Sequence, residues 1–274
     1  MYMNRKMLVL DIDGTLTNSK KEITPHTLQR IREIQQLGHI VVVASGRPTP
    51  GLRKVAETLE LAKYGGYLLS YNGARIANMQ TGEVVCQLEL PLEYVPQLYA
   101  FAEEKGIGLI TYEQDWIVAG RPRDEYMERE AWINQIPIHD VDNFVEYVDF
   151  PIIKCLFTAP PDRAPALERE LAAKFVGRMS IYRSEPYFIE AMPLHVDKAA
   201  SLQRLLEHLR MNVKDVIACG DGYNDVSMIR FAGLGVAMAN AYDAVKAEAD
   251  YITRSNDEDG VAHVIEKFIL GIAE

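Results

Sequence analysis

In the stretch "KMLVLDIDGTLTNSK", two carboxylates, Asp11 and Asp13, stand one residue apart directly after the apolar run Met7 to Leu10. Residues of this type at this spacing can act as nucleophile and general acid–base, or help hold a hard cation. Two unit negative charges about 4 Å apart repel by ~1 kcal/mol in water and ~4 kcal/mol at an effective dielectric of about 20. The pair therefore needs a positive partner, or it faces water in a turn, and Asp-Gly-Thr alone is ordinary turn chemistry. Other segments carry similar groups. "ASGRP" holds Ser45, Gly46 and Arg47, "YNGA" holds Asn72 and Gly73, Lys198 follows Asp197, and "GDGYND" holds Asp221, Asn224 and Asp225. An EF-hand reading of "DIDGT" fails, because glycine falls at the fourth loop position instead of the sixth.

The elements around these groups explain how they could meet. Met7 to Leu10, "HIVVVA", "GYLLS" and "DVIACG" are continuously apolar runs, the pattern of strands covered on both faces. Helical patterns alternate with them: "ITPHTLQRIREIQQLG", with Thr24 as N-cap, Pro25 at the first position and Gly38 closing, then residues 48–61, 197–210 and 223–232. Such alternation predicts an α/β fold, a doubly wound parallel sheet with a Rossmann-like core. In an open parallel sheet, ligands bind beyond the carboxyl ends of the strands, and each polar group above lies at such an end except Lys198, which opens the helix just before "DVIACG". Four carboxylates cannot gather there without cations. Oxygen donors without a Cys or His cluster favour Mg²⁺ over zinc.

The middle of the chain breaks the alternation. Helical stretches at 92–105, 123–135 and 162–176 mix with strands such as "GIGLITYE", "DWIVAG", "IIKCLFTA", "MSIYRS" and "YFIEAM", the last two reading as an antiparallel hairpin. Residues 85–191 thus read as an α+β cap domain inserted into a core of residues 1–84 and 192–274. Trp116, Trp132, Tyr182 and Tyr187 are expected in the cap's core, and Glu113, Arg178 and Arg183 are charged candidates for reaching a substrate.

The 274 residues give ample core, and a net charge of -10 argues against an extended nucleic-acid footprint. No apolar stretch approaches the ~20 residues of a membrane span, and Met7 to Leu10 is too short for a secretory signal. Cys86, Cys155 and Cys219 are scattered without metal-ligand spacing, which suits a reducing cytoplasm. A cytoplasmic protein with neither a nucleic-acid nor a membrane partner is expected; oligomeric state has no signature in the sequence.

"DIDGT", "ASGRP", Lys198 and "GDGYND" resemble, in order and separation, the four motifs of the haloacid dehalogenase superfamily, and the inserted module resembles the cap of its Cof-type (subfamily IIB) hydrolases. The resemblance covers nearly the whole chain. It implies Asp11 as nucleophile and Asp13 as general acid and base. Ser45 and Lys198 would bind the transferring phosphoryl group. Asp221 would complete a Mg²⁺ site with Asp11 and the main-chain carbonyl of Asp13, with Asp225 behind the metal. Asn224 would reach phosphate, and Gly46, Arg47 and Asn72 are candidates on the substrate side. Two positions depart from the family, where glycine is common: here they are His195 and Ala199.

The implied activity is that of a Mg²⁺-dependent phosphatase working through an aspartyl-phosphate on a small phosphomonoester, most economically a sugar phosphate. A phosphomutase and a phosphosugar-binding regulator without catalysis are the alternatives. Dehalogenase chemistry is disfavoured, because it requires neither the second aspartate nor the metal aspartates. His139, His195 and Cys219 are expected to be structural.

Overall fold

The computed structural model describes residues 5–120 and 123–272. In chain order its strands are β1 Met7–Leu10, β2 Ile40–Ala44, β3 Tyr67–Ser70, β4 Arg75–Asn78 and β5 Val84–Gln87, then β6 Gly108–Glu113, β7 Trp116–Ala119 and β8 Ile138–Asp140. They continue with β9 Cys155–Thr158, β10 Ser180–Glu185, β11 Phe188–Met192, β12 Val216–Gly220, β13 Leu234–Ala237 and β14 Tyr251–Ile252. The helices that matter below are α1 Pro25–Gln36, α2 Val95–Lys105, α3 Glu125–Asn134, α4 Ala164–Lys174, α5 Lys198–Leu209, α6 Val226–Phe231 and α7 Gly260–Ile265. The chain divides into two compact units: Met1–Gly46, Leu52–Cys86 and Asp197–Glu274 form the first, and Arg47–Gly51 with Gln87–Val196 form the second.

The first unit is built on an eight-stranded sheet in the order β14-β13-β12-β1-β2-β3-β4-β5. From β14 to β3 the pairings are parallel, and β4 turns back antiparallel on β3. The strands read as unbroken apolar runs because both faces are covered. Leu8, Leu10, Val41, Val43 and Ile217 pack with Ile31 and Ile34 of α1 and Val261, Val264 and Ile265 of α7. Met7, Val9, Val42, Leu69 and Ala218 pack on the other face with Leu202, Leu205 and Leu206 of α5 and Met228 of α6. Full burial of each such side chain contributes about 1.5–3 kcal/mol, so the central strands form a stiff platform. Thr24 accepts a hydrogen bond from the Thr27 amide with Pro25 at the first turn of α1, and Asp197 accepts from the Ala200 amide at the start of α5.

The second unit carries a six-stranded sheet, β10-β11-β9-β6-β7-β8, antiparallel except for the β7–β8 pair. Leu98 and Phe101 of α2 and Leu167 and Leu171 of α4 pack on Leu109, Val118, Phe157 and Ile189. β10 and β11 form the expected hairpin. Strand β8 and the short helix Phe144–Tyr147 carried no sequence signal: Ile138 is followed by two exposed polar residues, leaving no alternation to read. The tryptophans correct another expectation. Trp116 and Trp132 are 47% and 74% exposed, so they are surface residues and not core, whereas Tyr187 is buried and Tyr182 half-buried. Trp116 begins strand β7 beside the Gln114 turn, and its ring lies edge-on to His139.

Candidate active site

Register brings three strand ends level. Leu10 pairs with Val43 on one side and Cys219 on the other, so β1, β2 and β12 release their chains at one sheet edge. The Asp11 amide still donates to the Cys219 carbonyl at 3.1 Å, which fixes the start of the first acidic loop. One residue later the strands give way to polar groups.

Lys198, 1% exposed at the first turn of α5, ties these ends together. Its Nζ donates to Asp11 Oδ1 at 2.8 Å, Asp225 Oδ1 at 2.6 Å and the Ala44 carbonyl at 2.9 Å. A cation at a helix N-terminus opposes the dipole, and here the two buried carboxylates offset that cost. Asp225 is fully buried, and its second oxygen accepts from the amides of Asp221 and Gly222 at 3.0 and 2.9 Å. Gly220 makes this clamp possible, because a Cβ there would run into the Asp225 side chain. Gly14, at φ +85°, is required twice over: by its left-handed backbone and by a side-chain position that Asp221 already fills. Thr15 Oγ1 donates to Asp221 Oδ1 at 2.8 Å, and Asn240 Nδ2 donates to the Gly14 carbonyl at 2.8 Å.

Asp11, Asp221 and Asp225 each offer an oxygen within 4.8 Å of the others. Burial, then the charge of Asp225, pushes the Asp11 carboxyl up to about 8 against the pull of Lys198. Burial likewise pushes Asp221 up to about 6, against the hydrogen bond from Thr15. For the Lys198 ammonium burial acts downward, and the charges of Asp11 and Asp225 more than reverse it. Three carboxylates facing one ammonium carry surplus negative charge, which a hard divalent cation would neutralise. The donor set, all oxygen, fits such an ion.

The Asp13 carboxylate is not part of that trio; Lys21 Nζ donates to its Oδ1 at 2.8 Å. Ser45 is buried at the end of β2, and its carbonyl accepts from the Asn72 amide at 2.9 Å. Asn224 Nδ2 donates to Asn72 Oδ1 at 3.2 Å, and a Cβ at Gly46 would lie 3.1 Å from that same oxygen. Gly46, Asn72 and Asn224 are thus one group within the first unit. Arg47 falls in the second unit, where Gly51 packs so closely on Asn134 that a Cβ would not fit. Of the charged cap candidates, Glu113 accepts from the Tyr147 hydroxyl at 2.8 Å, Arg183 is bonded to Glu168 of α4 at 2.6 Å, and Arg178 is exposed. His195 has φ +64°, the left-handed region that favours glycine, so the histidine there sits on a strained backbone. Thr15, Lys21, Ser201 and Asn240 were not singled out by their sequence context. Thr15 alone had a signal, its place directly after Gly14 in "DIDGT".

Comparison with known proteins shows the family. Residues 8–265 match the family model of the haloacid dehalogenase-like hydrolases. The crystal structure of a haloacid dehalogenase-like hydrolase from Bacteroides thetaiotaomicron is 45% identical, with a TM-score of 0.94 over 97% of this chain and all of that one. A subclass IIB sugar phosphatase of solved structure is 28% identical, with a TM-score of 0.81 over 97% of this chain and 99% of its own. The 5-amino-6-(5-phospho-D-ribitylamino)uracil phosphatase YcsE of Bacillus subtilis (strain 168) is 31% identical over 97% of this chain and 96% of its own. With a parallel sheet that gathers Asp11, Lys198, Asp221 and Asp225 at one edge, the chain belongs to the haloacid dehalogenase-like hydrolases, of the Cof-type subfamily IIB, and is a phosphoric monoester hydrolase.

Proposed function

We propose that the chain is a Mg²⁺-dependent, cytoplasmic phosphatase that hydrolyses a small sugar or polyol phosphate through an aspartyl-phosphate on Asp11. The observation that carries the reading is the buried Asp11–Lys198–Asp225 ion-pair chain beside Asp221. Lys198 holds Asp11 in place and supplies positive charge for phosphoryl oxygens, with Ser45 and the amides of the Asp13–Gly14 turn as further donors. Asp11 attacks phosphorus while the bond to the leaving oxygen breaks, and Asp13 gives that oxygen its proton. Asp13 then takes a proton from water as the water attacks phosphorus. The bond to Asp11 breaks, and phosphate and free carboxylate result. The metal would be held by Asp11, Asp221 and the Asp13 carbonyl with Asp225 behind them, and when bound it would screen the like charges of carboxylate and phosphate.

Two similarities favour a polyol phosphate. One similar structure is named a sugar phosphatase, and YcsE is named for a 5-phospho-D-ribityl compound. The test is a phosphate-release screen over sugar, polyol, nucleotide and cofactor phosphates. Release is expected with Mg²⁺ and lost in EDTA. Full activity in chelator would sink the metal assignment, and isomerised sugar phosphate in place of free phosphate would make the chain a mutase.

A further inference from the structure

We propose that Ser201 is a positioning residue for substrate: through the Gly73 carbonyl it sets the Asn72 carboxamide, joined to Asn224, against the oxygens of the phosphoester. The proposal rests on the phosphatase reading. Between β3 and β4 the chain passes through three successive left-handed residues, Tyr71, Asn72 and Gly73, at φ +53°, +55° and +94°. Asparagine tolerates that region better than most side chains, and glycine freely, but a buried tyrosine does not. A turn so unfavourable persists only where its surroundings over-determine it.

The surroundings are on hand. The Asn72 amide donates to the Ser45 carbonyl at 2.9 Å, which ties the turn to the end of β2. Ser201 is fully buried on α5, one turn beyond Lys198. Its hydroxyl lies 2.6 Å from the Gly73 carbonyl and 2.9 Å from the Asp197 carbonyl, and its single proton suits the nearer oxygen. Gly73 has no room for a Cβ, because the Ser201 side chain occupies that space. Helix α5 thus holds the lysine with one residue and the asparagine turn with another. The turn delivers Asn72 Oδ1 to Asn224 Nδ2 at 3.2 Å, beside Gly46. Two carboxamides joined in this way set N–H donors side by side, the chemistry that takes phosphate or hydroxyl oxygens.

The test uses Ser201→Ala, Ser201→Cys, Asn72→Gly and the double variants, assayed with Mg²⁺ on p-nitrophenyl phosphate and a hexose 6-phosphate. Asn72→Gly removes the carboxamide and keeps the left-handed backbone. Ser201→Ala is expected to raise KM for the sugar ester about 3–10-fold with kcat within about twofold, the cost of one hydrogen bond read as affinity. Ser201→Cys, a weaker donor, falls between, and carries the test alone where circular dichroism shows Ser201→Ala unfolded. Asn72→Gly raises KM at least as much, and adding a Ser201 variant to it costs less than about twofold more, because both changes remove one interaction. The proposal is overturned where the two effects multiply, where Asn72→Gly leaves KM unchanged, or where Ser201 variants shift only the melting temperature. Absence of phosphate release by the wild-type chain from every ester would overturn the phosphatase reading instead.

Discussion

Lys198 in the first unit and Lys154 in the second are both buried ammonium groups, 1% and 3% exposed, each set among carboxylates. Lys154 lies 3.2 and 2.8 Å from the two oxygens of Glu190, and Ser184 donates to the same carboxylate at 2.9 Å. The nearby carboxyl of Glu130 accepts from the Tyr112 hydroxyl at 2.5 Å, and burial raises it above the usual carboxylate range. Lys154 is thus paired directly with one carboxylate, that of Glu190, while Glu130 is bonded to a tyrosine hydroxyl. The first unit gathers three carboxylates around its lysine, two of them pushed up to about 8 and about 6. The lesson lies in the charge count. A buried lysine paired directly with one carboxylate can serve structure alone, whereas several carboxylates gathered at a strand edge call for a cation and a substrate.

The largest expected effect separates the two lysines. Lys198→Ala should lower kcat/KM on p-nitrophenyl phosphate by at least ~10³-fold, since it removes charge from the phosphoryl site and leaves Asp225 buried and unpaired. Replacing Lys154 and Glu190 together by methionine should keep turnover of that small ester within about threefold, because buried ion pairs often exchange for apolar groups at little cost. Equal losses from both changes would erase the distinction.

A second effect comes from the proton on Asp11. Its folded pKa of about 8 lies above the ordinary value, so between the two the folded chain binds more protons than the unfolded chain. The metal-free chain should therefore lose stability as pH rises from about 4 through 8. Since the metal binds the carboxylate, Mg²⁺ binding should release about one proton at pH 7 and almost none at about pH 9.5. Calorimetry in two buffers of different ionisation enthalpy reads the number directly. Equal proton release at both pH values would contradict the charge surplus.

The smallest effect belongs to Glu130. Its raised carboxyl makes the second unit most stable below the ordinary carboxylate range and less stable as pH climbs through the raised value. Glu130→Gln keeps an acceptor for Tyr112 and removes the titration. It should raise the melting temperature by about 2–5 °C at pH 8 and by less at pH 5. A larger gain at pH 5 would reverse the assigned sign.

Much of this was legible in the sequence for one reason: the groups that do chemistry follow continuous apolar runs. Met7 to Leu10 and Val216 to Cys219 announce strands buried on both faces, and their ends announce a shared edge. What the sequence concealed depends on close approach. Nothing in the order of residues shows that Gly220 makes room for Asp225, or that the Ser201 hydroxyl meets the Gly73 carbonyl, 128 residues away in the chain. The exposed Trp116 and Trp132 were misread because hydrophobicity is a one-way guide, and large aromatic residues also occupy surfaces. Strand β8, three residues long with two of them exposed, is set by pairing with β7 and leaves no pattern of its own.

Acid-quenched single turnover with a ³²P-labelled sugar phosphate tests the central assignment most directly. With Mg²⁺ present, label should appear on the protein at the first turnover, map to the peptide containing Asp11, and be released by hydroxylamine, as an acyl phosphate is. Asp11→Asn, folded by circular dichroism, should show no label and at least ~10³-fold slower phosphate release. Phosphate release by the wild-type chain without any labelled protein, together with more than a tenth of that rate in Asp11→Asn, would contradict Asp11 as the nucleophile.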